Sequence, residues 1–133
     1  MEIKYKIWIE ENGKVIFGKG RDEILKSIEE QHSLNAAAKE LGMSYRAAWG
    51  RLKASEERME KKLVETSREE KSLHLTDMAR AFIERFEKME KDVENVLESA
   101  EKDLKKFLKD NEKYVLIWAC IETLESLSRN LSF

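Results

Sequence analysis

The sequence contains no proline and only five glycines among its 133 residues. Because proline breaks helices and glycine destabilises them, this composition favours long, uninterrupted helices. A single cysteine cannot form an internal disulfide, and it fits a reducing compartment. No apolar run approaches the ~18 residues of a membrane-spanning helix. These shortages exclude a disulfide-stapled secreted scaffold, a collagen-like fibre and a membrane protein.

Charge is abundant but unevenly distributed. Charged residues make up 39% of the chain, against a typical value of about 25%. Hydrophobic residues still account for 41%, which is enough for a folded core. Residues 44–62 carry a net charge of +3, whereas residues 77–133 carry −3. A basic stretch inside a mildly acidic chain points to a polyanionic partner.

The first residues alternate charged and apolar types and lack the apolar run of a signal peptide, so we expect a cytoplasmic protein. Residues 1–18 are predicted to form a β-hairpin. Ile3, Tyr5 and Ile7 alternate along a strand within 3–9, and a second strand returns through Val15-Ile16-Phe17. Asn12-Gly13 between them is a strong hairpin signal, because both central residues of a type I′ turn have positive φ.

Residues 19–76 are predicted to form a winged helix-turn-helix domain. A first helix covers about 21–31, and a second begins after Ser33 and ends before Gly42, which suits a left-handed C-terminal cap. Ser44 caps a third helix of about 44–54. A glycine-containing tight turn between two helices is typical of the helix-turn-helix, and the alanines of the second helix allow close crossing.

The third helix is interpreted as the recognition helix. Ala48, Leu52 and Trp49 are predicted to point into the core, with Trp49 interpreted as a core residue. The opposite face presents Tyr45, Arg46, Gly50, Arg51 and Lys53. Two strand-like runs follow within 63–76, joined by a polar tip that contains Arg68, and together they predict a wing. The fold class is therefore mainly α (α+β), because strands are predicted only in the hairpin and the wing.

The segment Ser33–Trp49 resembles the DNA-binding domain of ModE, the molybdate-responsive bacterial regulator, and more distantly that of LysR-type regulators. Ser44-Tyr45-Arg46-Ala47-Ala48-Trp49 is the specific part of the resemblance, which covers roughly residues 19–90. The resemblance implies a wing and a following helix that pairs two subunits. It also implies that four residues face the DNA major groove, namely Ser44, Tyr45, Arg46 and Gly50.

Two features depart from the ModE pattern. The wing tip contains Glu69 and Glu70, whereas such wings are commonly glycine-rich and basic. Helices follow the wing where ModE continues into molybdate-binding domains. We therefore do not expect oxyanion sensing, and the chain is closer to a stand-alone DNA-binding module of a prokaryotic regulator.

Residues 77–133 are predicted to form a helical dimerisation region. Thr76 caps a long helix whose apolar residues recur every three or four positions: Phe82, Phe86, Met89, Val93, Val96, Ala100, Leu104 and Phe107. After a turn at Asp110-Asn111, a second amphipathic helix covers 113–131. Its apolar face comprises Val115, Trp118, Cys120 or Ile121, Leu124 and Leu127. This helix either folds back on the long helix or packs against a second subunit, and we favour a homodimer.

Catalysis and metal binding lack a sequence basis. His32, His74 and Cys120 lie in three separate elements, with no pair at ligand spacing. His74 alternates with Leu73 and Leu75, which predicts an exposed strand residue. Cys120 falls in an apolar stripe, where a free cysteine acts as a small hydrophobe. We therefore expect no enzyme activity, no cofactor and no metal site.

The sequence is best explained as a sequence-specific DNA-binding transcription regulator. Its partner is double-stranded DNA, with the third helix in the major groove and the wing on the flanking backbone. Arg51, Lys53 and Arg68 are predicted to contact phosphates, while Arg46 reads base edges. A homodimer would address half-sites about 34 Å apart. Two alternatives remain: a winged-helix protein-interaction module, and a regulator gated by an unidentified small ligand at the dimer interface.

Overall fold

A computed structural model of the protein describes residues 1–131, together with all their side chains except those of residues 113–116. The chain divides into two compact units. One unit comprises Tyr5–Lys91, and the other comprises Met1–Lys4 with the chain from Asp92 onward. In chain order the elements are β1 Trp8–Glu11, β2 Lys14–Gly18, α1 Lys19–Gln31, α2 Leu34–Glu40, α3 Tyr45–Met59, β3 Val64–Thr66, β4 Leu73–Leu75, α4 Asp77–Asp110 and α5 Glu112–Leu131.

Strands β1 and β2 form the predicted hairpin. Glu11 pairs with Lys14, which leaves Asn12 and Gly13 as a two-residue turn with φ of 51° and 76°. These positive values are the reason for an Asn-Gly pair at this position. The first strand begins at Trp8, so its predicted start at Ile3 is wrong.

The core of the Tyr5–Lys91 unit lies where the hairpin, α1 and the start of α4 meet. The ring of Phe17 is fully buried, and it contacts the rings of Phe82 and Phe86 edge-on, with both centroid distances at 4.9 Å. Ile24, Leu25 and Ile28 of α1 complete this core. The hairpin is therefore packed into the same unit as the three helices that follow it.

The predicted wing is present as the antiparallel pair of β3 and β4, in which Glu65 is opposite His74. The Thr76 hydroxyl then accepts a hydrogen bond from the Ala79 amide at 3.1 Å, which caps α4 as predicted. The structure confirms a helix-rich winged helix-turn-helix preceded by a β-hairpin.

The unit that includes residue 92 onward contains the second half of α4 and all of α5. Of the predicted turn at Asp110-Asn111, Asn111 alone is a turn residue, because α4 continues to Asp110. Large apolar side chains are exposed along both, by 67% at Val96, 61% at Phe107 and 65% at Trp118. Of the two arrangements left open by the sequence, the one in which α5 folds back and buries its apolar face on α4 is not seen for the described side chains. Val115, which was predicted to share that face, lies outside them.

Candidate nucleic-acid interface

Helices α2 and α3 cross closely because small side chains line their contact. Ala37, Ala38 and Ala48 are all at most 2% exposed. Each helix begins at a serine whose hydroxyl oxygen accepts a backbone N–H, Ser33 from residue 36 at 3.2 Å and Ser44 from residue 47 at 3.0 Å. These bonds satisfy amide groups that a helix start otherwise leaves unpaired. The two serine caps therefore set where α2 and α3 begin.

The turn between the two helices depends on a left-handed residue. Gly42 has a φ of 68°, a conformation that costs glycine little because it has no Cβ. The Met43 amide then donates to the Ala38 carbonyl at 2.9 Å, which closes the end of α2. This geometry is the C-terminal cap predicted from the sequence.

The N-terminal half of α3 presents an uncovered polar face. Arg46, Gly50 and Arg51 are exposed, and the Tyr45 side chain is 52% exposed. The space beside Gly50 is open, since a Cβ added there would meet no atom within 4 Å. The structure brings these predicted site residues together on one surface, with Ser44 at its start.

Trp49 is the clearest error of the sequence interpretation of α3. It was predicted to be a core residue, but its side chain is 47% exposed. Ala48 and Leu52 already fill the inward positions, and Ser55 and Glu56 continue the buried stripe. Trp49 lies one turn after Tyr45, so the two aromatic side chains occupy neighbouring positions on the surface of α3.

Lys53 lies near the candidate surface, and it also forms an ion pair with Glu56. Its ammonium group donates to Glu56 at 2.9 Å, and the other oxygen of Glu56 accepts the Leu63 amide at 2.8 Å. Burial by itself would raise the pKa of Glu56, but the Leu63 amide and the Lys53 ammonium outweigh it, so the pKa lies below its ordinary value. Glu56 therefore links α3 to the residue that precedes β3 of the wing.

Arg68 lies apart from α3, at the exposed tip of the wing. The tip is closed by local bonds in which the Lys71 amide donates to the Ser67 carbonyl at 3.0 Å. Glu70 accepts a hydrogen bond from the Ser72 hydroxyl at 3.3 Å. The wing tip thus combines one arginine with two acidic side chains.

His32 and His74 are neighbours, although they belong to different elements. Their ring centroids are 4.7 Å apart, and the Leu73 amide donates to the His32 carbonyl at 2.9 Å. His74 is half-buried, so its predicted exposure is wrong. This contact arises because β4 packs against the end of α1, which no local sequence pattern could reveal. Across the part of the chain that the structure describes, no group of three or more His, Cys, Asp or Glu side chains is placed to hold a metal ion.

Two further arginines, Arg21 of α1 and Arg58 near the end of α3, were not predicted as site residues from the sequence. The Arg21 Nε donates to the Ser55 hydroxyl, and the Arg58 guanidinium donates to the Val15 carbonyl. The seven-residue spacing of Arg51 and Arg58 was a readable signal, since residues seven apart share a helix face. The contact with Arg21 depends on the packing of α1 against α3.

Residues 23–80 match the family described as bacterial regulatory helix-turn-helix proteins of the lysR family. Over these residues the chain is similar to a LysR-type helix-turn-helix. The match begins in α1, includes α2, α3 and the wing, and ends in the first turn of α4. It confirms the LysR-type part of the expected resemblance, whereas the ModE-type assignment finds no support.

Among solved structures, the chain is similar to the DNA-binding domain in the crystal structure of a CbnR DNA-binding domain–DNA complex. The TM-score is 0.49 at 21% sequence identity, and the alignment covers 61% of this chain and 91% of the other. No curated protein sequence matches the chain. Among the described residues, no helix is both long and apolar enough to cross a membrane.

Proposed function

We propose that the protein is a sequence-specific DNA-binding transcription regulator of the cytoplasm that acts as a homodimer. The observation that carries this proposal is the N-terminal face of α3 in a LysR-type helix-turn-helix, where Arg46, Gly50 and Arg51 are exposed without covering protein. A helix-turn-helix reads DNA by placing the start of its second helix in the major groove. In this proposal, residues 19–76 bind DNA and residues 77–133 join two subunits.

The proposed contacts differ in what they recognise. Arg46 lies in the first turn of α3, where a guanidinium can bind the O6 and N7 atoms of guanine. Ser44, Tyr45 and Gly50 complete the groove-facing surface. Three cations are proposed to hold the backbone instead of reading sequence, and they are Arg51, Lys53 and Arg68.

The dimer is proposed from the exposed apolar positions of α4 and α5. Four large apolar side chains of α4 are between 36% and 67% exposed, and they are Met89, Val96, Leu104 and Phe107. They lie seven, eight and three residues apart, spacings that keep them on one side of the helix. A helix with such a seam gains stability by pairing with another helix. Two recognition helices related by a two-fold axis would then meet half-sites about one DNA turn apart.

Selection from random duplex DNA at about 150 mM salt, followed by sequencing of the retained pool, tests the function. We expect a palindromic consensus whose half-sites are about 10 base pairs apart. Retention that is abolished by moderate salt, without any enriched sequence, would contradict sequence-specific binding. That outcome would favour a protein-interaction module, for which the acidic residues of the wing tip are the supporting feature.

A further inference from the structure

Three arginines meet where the start of α1 packs on α3. The Arg21 Nε donates to the hydroxyl of Ser55, a residue that is fully buried. Ser55 lies four residues after Arg51 and three before Arg58, so helical geometry places both arginines on the same side of α3 as Ser55. We call Arg21, Arg51 and Arg58 the arginine cluster.

Two members of the arginine cluster, Arg21 and Arg58, are held by neutral hydrogen-bond acceptors. Arg58 donates to the Val15 carbonyl of the hairpin, and none of the three arginines forms an ion pair with any described residue. Burial, and then the charges of Arg58 and Arg51, lower the pKa of Arg21. Like charges fixed together without a carboxylate repel one another, and a bound anion would relieve that repulsion.

The position of the cluster along α3 indicates which anion fits. Twelve residues separate Arg46 from Arg58, which corresponds to about 18 Å at 1.5 Å per residue. The major groove is only about 12 Å wide. If Arg46 lies among base edges, Arg58 therefore reaches the level of the sugar-phosphate backbone. Guanidinium groups bind phosphate oxygens through paired N–H donors.

We propose that the arginine cluster is a phosphate-binding site that grips the DNA backbone beside the half-site read by α3. This inference rests on the proposed function and adds Arg21 and Arg58 to its binding surface. The Ser55 hydroxyl and the Val15 carbonyl hold the guanidinium groups of Arg21 and Arg58 in place before DNA binds, so these two side chains lose less freedom on binding.

Arg51→Gln and Arg58→Gln test the site, because both side chains are exposed and neither substitution opens the core. The matched control is Arg85→Gln, which removes the same charge from an exposed position on α4. Dissociation constants for the full chain are measured on the selected duplex and on an unrelated duplex, from about 50 to 300 mM salt. Thermal unfolding of each variant shows that it is folded.

We expect each cluster substitution to reduce the slope of log K against log salt by about 0.9 and to weaken binding about fivefold near 150 mM salt. The loss should be the same on both duplexes, because phosphates carry no sequence. Arg85→Gln should keep the wild-type slope. Arg58→Lys, which keeps the charge, should recover most of the slope.

The outcomes separate the site from the function. If the wild-type chain binds DNA but the cluster variants keep the slope of Arg85→Gln, the cluster assignment is overturned and the proposed function stands. If the wild-type chain binds neither duplex, both the cluster assignment and the proposed function are overturned.

A titration with inorganic phosphate at constant ionic strength, monitored by the NMR signals of the arginine side chains, tests whether the site binds a free anion. Saturable binding at the cluster together with unchanged DNA slopes would assign the site to a free oxyanion instead.

Discussion

At the scale of single residues, Asp22 is a buried carboxyl group that lacks a hydrogen bond to one of its two oxygens. It is 6% exposed, its Oδ1 atom has no hydrogen bond, and its other oxygen is 4.0 Å from the Lys26 ammonium. Burial raises the pKa of Asp22 to about 6, Lys26 opposes the rise, and the charges of Glu87 and Glu90 add to it. A carboxylate in this position costs stability once it is ionised.

The sign of the pH dependence follows from the raised pKa. Asp22 titrates near 4 in the unfolded chain and at about 6 when folded. Ionisation of Asp22 should therefore lower the free energy of unfolding as the pH rises from about 4 to 6, with no further change above that range.

We expect Asp22→Asn to raise the free energy of unfolding at pH 7 by about 1–3 kcal/mol and to flatten this pH dependence. Urea denaturation between pH 4 and 8 measures both effects. The exposed neighbour Glu23→Gln is the control, and an Asp22→Asn protein no more stable than wild type at pH 7 would contradict the prediction.

Arg46 and Arg51 should affect DNA binding in different ways. We expect Arg46→Ala to weaken binding to the selected sequence by about 1–3 kcal/mol while leaving unrelated DNA nearly unchanged, because the guanidinium reads a base edge. Arg51→Ala should weaken binding to both DNAs alike. Fluorescence anisotropy on the selected and unrelated duplexes measures the ratio. An equal loss on every sequence for Arg46→Ala would refute base reading by this residue.

At the scale of elements, Glu56 connects α3 to the wing through the Leu63 amide and the Lys53 ammonium. We expect Glu56→Ala to lower the free energy of unfolding by about 1–3 kcal/mol, because it leaves the buried Leu63 amide without an acceptor. Glu56→Gln should cost less, since its amide oxygen can still accept that N–H. Urea denaturation checks this, with the exposed Glu57→Ala as control. Equal stabilities of the Glu56→Ala and Glu57→Ala proteins would count against the link.

The lowered pKa of Glu56 also has a consequence for acid stability. A carboxyl whose pKa is lower in the folded than in the unfolded state stabilises the fold above the unfolded value and loses that effect as the pH falls. The contribution of Glu56 should therefore be complete at neutral pH and disappear in acid, below the ordinary range of glutamic acid. The pH dependence caused by Asp22 has the opposite direction.

Local signals were enough to predict most elements, because their bonds join residues close in sequence. Ser33, Ser44 and Thr76 cap helices by accepting hydrogen bonds from amides three residues ahead. Asn12-Gly13 forms the turn of a hairpin whose paired strands are adjacent in the sequence.

Element lengths were harder to predict. The third helix was predicted to end near residue 54, but it continues to Met59, because Ser55 and Glu56 find polar partners in α1 and the wing.

At the scale of the whole molecule, the exposed apolar side chains of α4 and α5 lead to a test of dimerisation. We expect the wild-type chain to sediment as two chains at micromolar concentration. Phe107→Glu should shift it toward one chain, because it places a charge in the apolar seam. Asn95→Glu, on the opposite side of α4, is the matched control and should leave the mass unchanged. Wild-type protein that sediments as one chain would contradict the dimer.

The sequence by itself determined the helix-turn-helix, the hairpin turn, the wing and the apolar periodicity of the long helix, since each depends on near neighbours or on the period of one element. Only the tertiary structure decided that Trp49 is exposed, that His32 meets His74, and that Arg21 joins Arg51 and Arg58. Burial and long-range contact depend on which other elements cover a residue. A pattern within one helix states which side chains share a face, but the packing of the remaining chain determines which of those faces becomes core and which is left for a partner.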